Sequence, residues 1–199
     1  MSEFERKSIE VLREPLETGQ IHISRAARRV SYPARFQLVA AMNPCPGGCD
    51  SIQHCSCSAE QLSRYKNRLS APLLDRIDIQ IELPRLKNTE LLHQKVKSQE
   101  TSQQVRYRVS QARNLQIGRQ GCLNAQMTNQ QLEQYCALDT ASQNLLSQAV
   151  EKLKLSARSY HRLLKLSRTI ADLSGTEIIS TDCISEAINY RRIPLLQGQ

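Results

Sequence analysis

Apolar residues first recur at helical spacing over residues 3–16, where Phe4, Ile9, Leu12 and Leu16 are separated by charged positions. Gly19 marks the expected stop of that helix. Three β-rich pieces follow, at 21–24, 29–32 and 36–42. The first two flank a tight connection at 25–28 and predict a hairpin. The third, FQLVAAM, is mostly apolar, the pattern of a strand buried on both faces of a parallel sheet. Residues 43–58 are rich in Pro, Gly and Cys and predict a loop, with a short polar helix after it at about 59–68. Over 77–83 the alternation is strict, with Ile77, Ile79, Ile81 and Leu83 on one face, and Pro84 ends the predicted strand.

Residues 86–120 are polar, Gln-rich and helical in pattern, and read as a connecting arm. From 121 onward the pattern is all-helical. Thr128 with Gln131, and Thr140 with Gln143, have capping-box spacing and open two helices. Leu163, Leu166, Ile170 and Leu173 line a third, which Gly175 ends, and Thr181 is placed to cap a fourth. The expected architecture is therefore α/β plus all-α: part of an α/β sheet domain over 1–85, a helical arm over 86–120 and a helical bundle over 121–199. No internal repeat is present.

Composition changes this picture in three respects. With 27 Lys+Arg against 19 Asp+Glu the net charge is +8, which favours a polyanionic partner such as nucleic acid or nucleotide. The charge is uneven: between Glu17 and Asp50 no acid occurs, whereas Arg25, Arg28, Arg29 and Arg35 do. No apolar run approaches the roughly 18 residues of a membrane span, and the charged N-terminus has no apolar signal core, so a cytoplasmic protein is expected. Finally, four of the seven cysteines (Cys45, Cys49, Cys55 and Cys57) form a C-x3-C-x5-C-x-C run. Four thiolates suffice for a tetrahedral Zn²⁺ site, with His54 as a spare ligand, and a reduced, metal-free loop is the alternative. Cys122, Cys136 and Cys183 are isolated and read as core thiols.

Four segments carry a family resemblance: FERKSIEVLREPLETGQIHISRAARRVSYPARFQLVAAMNPCP, RYKNRLSAPLLDRIDIQIELP, LNAQMTNQQLEQYCALD and LSARSYHRLLKLSRTIADLSG. They resemble the magnesium-chelatase-like ComM (YifB-type) family of AAA+ ATPases. The resemblance implies the later part of a AAA+ sheet domain with its pre-sensor-1 hairpin, followed by a helical lid. The sequence contains no G-x-x-x-x-G-K-[ST], so both Walker motifs are expected to precede these residues, which alone should not hydrolyse ATP.

The resemblance also implies roles. Asn43 would be sensor 1, orienting the attacking water; otherwise it only starts the Asn-Pro turn. Arg76 would be an arginine finger reaching the neighbouring subunit's ATP, or else a salt-bridge partner of Asp75 or Asp78. Arg158, near the start of its helix after Ser156, would be the sensor 2 arginine, with Arg162 as rival; either is otherwise a solvated side chain. Arg25, Arg28 and Arg29 would touch the DNA backbone in a pore, or pack against the next subunit. The family shows C-P-C-G where this chain has CPGGC, which shifts one cysteine. The implied protein is a hexameric DNA helicase or branch-migration motor of natural transformation, using ATP and Mg²⁺. A chelatase-type motor remodelling a protein partner, and a zinc-dependent DNA-binding module, are the alternatives.

Overall fold

A computed structural model describes residues 3–25, 28–49, 55–83 and 100–191. Two compact units divide the chain. The first runs to Ile77 and takes in Glu82 and Leu83; the second holds Asp78–Ile81 and the described residues from Glu100 to Arg191.

The first unit opens with two short helices, α1 (Arg6–Glu10) and α2 (Arg13–Thr18), where a single helix was expected. Pro15 accounts for the break. It has no N–H to offer the Val11 carbonyl, and its ring would collide with that carbonyl in an unbroken helix. The chain tightens instead, the Leu12 N–H donating to the Ile9 carbonyl at 3.1 Å. Gly19 ends α2 with φ +68°, a conformation costly for any residue with a Cβ. Its carbonyl accepts the Ala34 N–H at 2.7 Å, closing the base of the expected hairpin. That hairpin is β1 (Gln20–Arg25) paired antiparallel with β2 (Arg28–Pro33), in the register Gln20↔Pro33 to Arg25↔Arg28.

The strands expected at 36–42 and 77–83 are not formed, and the hairpin is the only ladder among the described residues. A strand is held by inter-strand hydrogen bonds, and no neighbouring strand among the described residues supplies them here. Several of their apolar side chains lie open, Val39 being 85% exposed and Leu83 81%. Helix α3 (Ala59–Lys66) is fixed by a capping box, Ser58 Oγ accepting the Gln61 N–H at 3.2 Å. After α4 (Ala71–Leu74), a small core gathers buried Ile9, Leu69 and Leu73, with Leu16, Met42 and Leu74 packed on it.

The second unit is helical. The segment read as an arm contributes α5 (Ser102–Gln120); its residues 86–99 lie outside the described part. Helices α6 (Asn129–Tyr135), α7 (Thr140–Leu153), α8 (Ala157–Leu173) and α9 (Thr181–Asn189) follow. Met127, Leu132, Leu146, Leu163, Ile179 and Ile184 are central to their core. Cys136 and Cys183 are buried in it and Cys122 packs against it, as expected of core thiols. Two caps differ from expectation by one residue. Asp139, not Thr140, caps α7 by accepting the Ser142 N–H at 2.8 Å. Ser180, not Thr181, caps α9. In each case the residue before the expected cap has the extended backbone a cap requires, and the expected one is already helical.

The last turn of α5 is tied to α8 through charge. Asp172 receives Arg119 Nη1 at 2.6 Å and Nη2 at 3.0 Å, Arg168 Nε at 3.0 Å and Asn124 Nδ2 at 2.7 Å. Arg168 also donates to the carbonyls of Glu177 and Thr176. Sequence reasoning missed this network, because each residue alone reads as an ordinary polar position.

Candidate metal centre and candidate nucleotide and DNA residues

The cysteine run folds into one cluster. The Sγ atoms of Cys45, Cys49, Cys55 and Cys57 all lie within 4.8 Å of one another, Cys45 fully buried and the other three half-buried. The CPGGC turn does this locally: the Gly48 N–H donates to the Cys45 carbonyl at 3.2 Å, and the Cys49 N–H points at Cys45 Sγ, also 3.2 Å away. Across the cluster the Cys57 N–H donates to Cys55 Sγ at 3.4 Å. His54, the spare ligand, lies outside the described residues.

The thiols are electrostatically unequal. Cys49 is lowered to about 6, first by the Ser56 backbone N–H and then by the Ser56 hydroxyl and neighbouring thiols. At Cys55 the Cys57 N–H pulls down, but burial and the surrounding thiols together push it up to about 12. A first thiolate therefore forms readily and makes the next harder to form. Such a set suits a cation that neutralises several thiolates at once. The donors are all sulfur and four in number, the set that structural zinc takes.

Asn43, two residues before Cys45, is exposed, and its carbonyl accepts the hydroxyl of buried Tyr65 in α3 at 2.8 Å. Arg76 follows α4, and its side chain is only 11% exposed. Its Nη1 donates to the Pro72 carbonyl at 2.5 Å, and its Nε lies 3.3 Å from Glu17 Oε2. Glu17 was not among the partners weighed from sequence, being distant along the chain. Asn43 and Arg76 each sit within two residues of the small core, beside Met42 and Leu74 respectively.

In the second unit, Ser156 caps α8 as expected, accepting the Ser159 N–H at 3.2 Å. Arg158 is exposed in the first turn. Arg162, one turn on, donates Nη1 to Asp78 Oδ1 at 2.7 Å. The hairpin arginines do not form one patch. Residues alternate faces along a strand, so Arg28 shares a face with Val30 and Tyr32 of β2 and Ile21 and Ile23 of β1. Arg29, opposite Ser24, belongs to the other face with Ser31 and His22. All of β2 is exposed. The Arg25 side chain lies outside the described part.

Two family models match this chain: that of magnesium chelatase, subunit ChlI, over residues 1–91, and that of the magnesium chelatase subunit ChlI C-terminal region over residues 99–191. Competence protein ComM of Haemophilus influenzae is 47% identical over 99% of the chain, which covers 39% of that protein. The uncharacterized protein YifB of Escherichia coli is 45% identical over 98% of the chain and 38% of its own length. An uncharacterized protein of Mycobacterium tuberculosis is 34% identical over 96%. The chain belongs to the ComM/YifB group of magnesium-chelatase-like proteins and spans about two fifths of the length of these curated relatives. Among the described residues no helix is long and apolar enough to cross a membrane.

Proposed function

We propose that these residues belong to a ring-forming, hexameric AAA+ ATPase of the cytoplasm that acts on DNA, and that they supply its hairpin, its sensors and its lid. The observation that carries the reading is the hairpin: an exposed two-stranded ribbon closing on Arg25 and Arg28, inside a stretch without one acid between Glu17 and Asp50. Such a projection meets phosphates without a carboxylate to repel them, and contacts of this kind are independent of base sequence. The chain is similar to a protein named for competence, and on this reading the polymer is DNA and the task branch migration of incoming strands.

On this reading Asn43 orients the attacking water, Arg76 reaches the nucleotide of the next subunit, and Arg158 meets the phosphates from the lid with Arg162 behind it. These residues contain no G-x-x-x-x-G-K-[ST] loop, and on this reading they offer side chains to a triphosphate held elsewhere. The family models' names favour a second reading, a chelatase-type motor whose hairpin contacts protein.

Replacing Arg25, Arg28 and Arg29 by Ala in the full-length ring decides between them. On the DNA reading affinity falls on every sequence, the log–log salt slope flattens by roughly one unit per lost phosphate contact, and basal ATPase persists. Because Arg28 and Arg29 face opposite ways, their single substitutions should be unequal. An unchanged affinity and slope in the triple variant would refute the DNA reading and favour the chelatase-type one.

A further inference from the structure

We propose that Cys45, Cys49, Cys55 and Cys57 bind one structural Zn²⁺, and that the ion and Tyr65 together clamp the Asn43 turn onto α3. The ion and the clamp are independent of the role proposed above for Asn43.

The spacing of the sulfurs suits the ion. Zn–S bonds of about 2.3 Å in a tetrahedron place the sulfurs roughly 3.8 Å apart. The four Sγ atoms already lie within 4.8 Å of one another, so about 1 Å of closure, within reach of rotamer adjustment, completes the site. Gly47 leaves the space beside the sulfurs. A Cβ built there would lie 2.8 Å from Cys57 Sγ, 3.6 Å from Cys49 Sγ and 4.0 Å from Cys45 Sγ. The backbone at Gly47 is not in the left-handed region, so its φ does not demand glycine. What its missing side chain provides is room for the sulfurs to converge. Backbone N–H groups of Cys49 and Cys57 point at Cys45 and Cys55 Sγ, the outer hydrogen bonds that orient metal-bound sulfurs.

The topology supplies the consequence. Cys45 and Cys49 follow directly on Asn43, whereas Cys55 and Cys57 lead into Ser58, the cap of α3. An ion joining the two pairs ties the Asn43 turn to the start of α3. Tyr65, in the last turn of the same helix, holds the Asn43 carbonyl. Zinc and Tyr65 thus grip the turn from the two ends of one helix. Binding converts each thiol to a zinc-bound thiolate and releases its proton to solvent, up to four in all, with no change of oxidation state.

Elemental analysis of protein purified in reducing buffer without chelator should give about one zinc per chain. Metal-free protein given Co²⁺ should show the visible bands of a tetrahedral thiolate complex, which Zn²⁺ abolishes. Cys57→Ser should weaken zinc binding at least about tenfold. Gly47→Ala keeps all four thiols and should still release zinc faster to a chelator. Zinc should also slow proteolysis within 43–57, and Tyr65→Phe should reduce that protection with zinc content unchanged. Far-UV circular dichroism verifies that each variant is folded. Absence of stoichiometric zinc after reconstitution, iron in its place, or a Gly47→Ala protein that retains zinc like the parent would overturn the site. Equal proteolysis with and without zinc would overturn the clamp.

Discussion

Replacing Asp172 by Ala should cost the helical unit more than any exposed substitution in it. Asp172 and Arg168 have side chains only 2% and 3% exposed, so the carboxylate is the counter-charge of a buried guanidinium. Removing one partner of a buried pair costs about 3–5 kcal/mol, because the remaining charge stays desolvated. Arg168 keeps two carbonyl acceptors, at 2.5 and 2.6 Å, which places the loss near the lower end. Arg119 is 25% exposed and can turn to water, so its orphaning adds little. Asp172→Asn keeps the shape but not the charge and should cost less. Urea unfolding followed by far-UV circular dichroism reads the difference. A loss below about 1 kcal/mol for the Ala variant, the scale of a surface pair, would refute the reasoning.

The pH dependence follows from the same residue. Burial acts to raise the Asp172 pKa, but the hydrogen bonds from Arg119 and Asn124 and the charges of Arg168 and Arg119 outweigh it and hold it below the ordinary value. The folded pKa is then lower than the unfolded one. The stabilisation is fully present above the unfolded carboxylate value of about 3.9 and is lost as pH falls through the folded value. The acid limb of the stability curve should flatten in the Asp172→Asn variant.

Two further outcomes follow from individual contacts. Ser180→Ala should destabilise the helical unit by about 1 kcal/mol while Thr181→Ala is close to neutral, a contrast that thermal unfolding would reverse had Thr181 been the cap. A double-mutant cycle of Glu17→Gln and Arg76→Gln should show a coupling of about 0.5–2 kcal/mol in urea unfolding, since Arg76 is largely shielded from water; zero coupling would mean that Glu17 does not hold it.

The sequence was most legible where structure is local. The hairpin rests on a pattern within a dozen residues, and α8 on helical spacing, of whose expected face Leu163 and Ile170 are buried and Leu166 half-buried whereas Leu173 is 40% exposed. The cap of α6 was read from Thr128 and Gln131 alone. Non-local features were not legible. The strands at 36–42 and 77–83 need neighbours to form a ladder, and apolar patterning says nothing of whether those neighbours are at hand. Arg119 reaches Asp172 across 53 positions and Asn124 reaches it across 48, separations at which spacing carries no signal. The cysteine run lies between these limits. Its irregular spacing matches no standard knuckle, yet the CPGGC turn brings its sulfurs together, and the space beside Gly47 became visible only in three dimensions.

Two of the proposed phosphate-binding arginines, Arg76 and Arg162, hold a carboxylate. The pair of Arg162 with Asp78 joins a guanidinium 17% exposed to an acid 51% exposed, and on the proposed reading a phosphate oxygen would take the place of Asp78. Arg76 is more enclosed, and it also donates to the Pro72 carbonyl. Glu17 lies in the last turn of α2, shortly before β1 begins at Gln20. On the proposed reading, the contact between Glu17 and Arg76 is where the state of the DNA hairpin and the placement of the finger would meet. On the proposed reading Arg158, exposed in the first turn of α8 where the helix N-terminus favours anions, has the stronger placement of the two lid arginines.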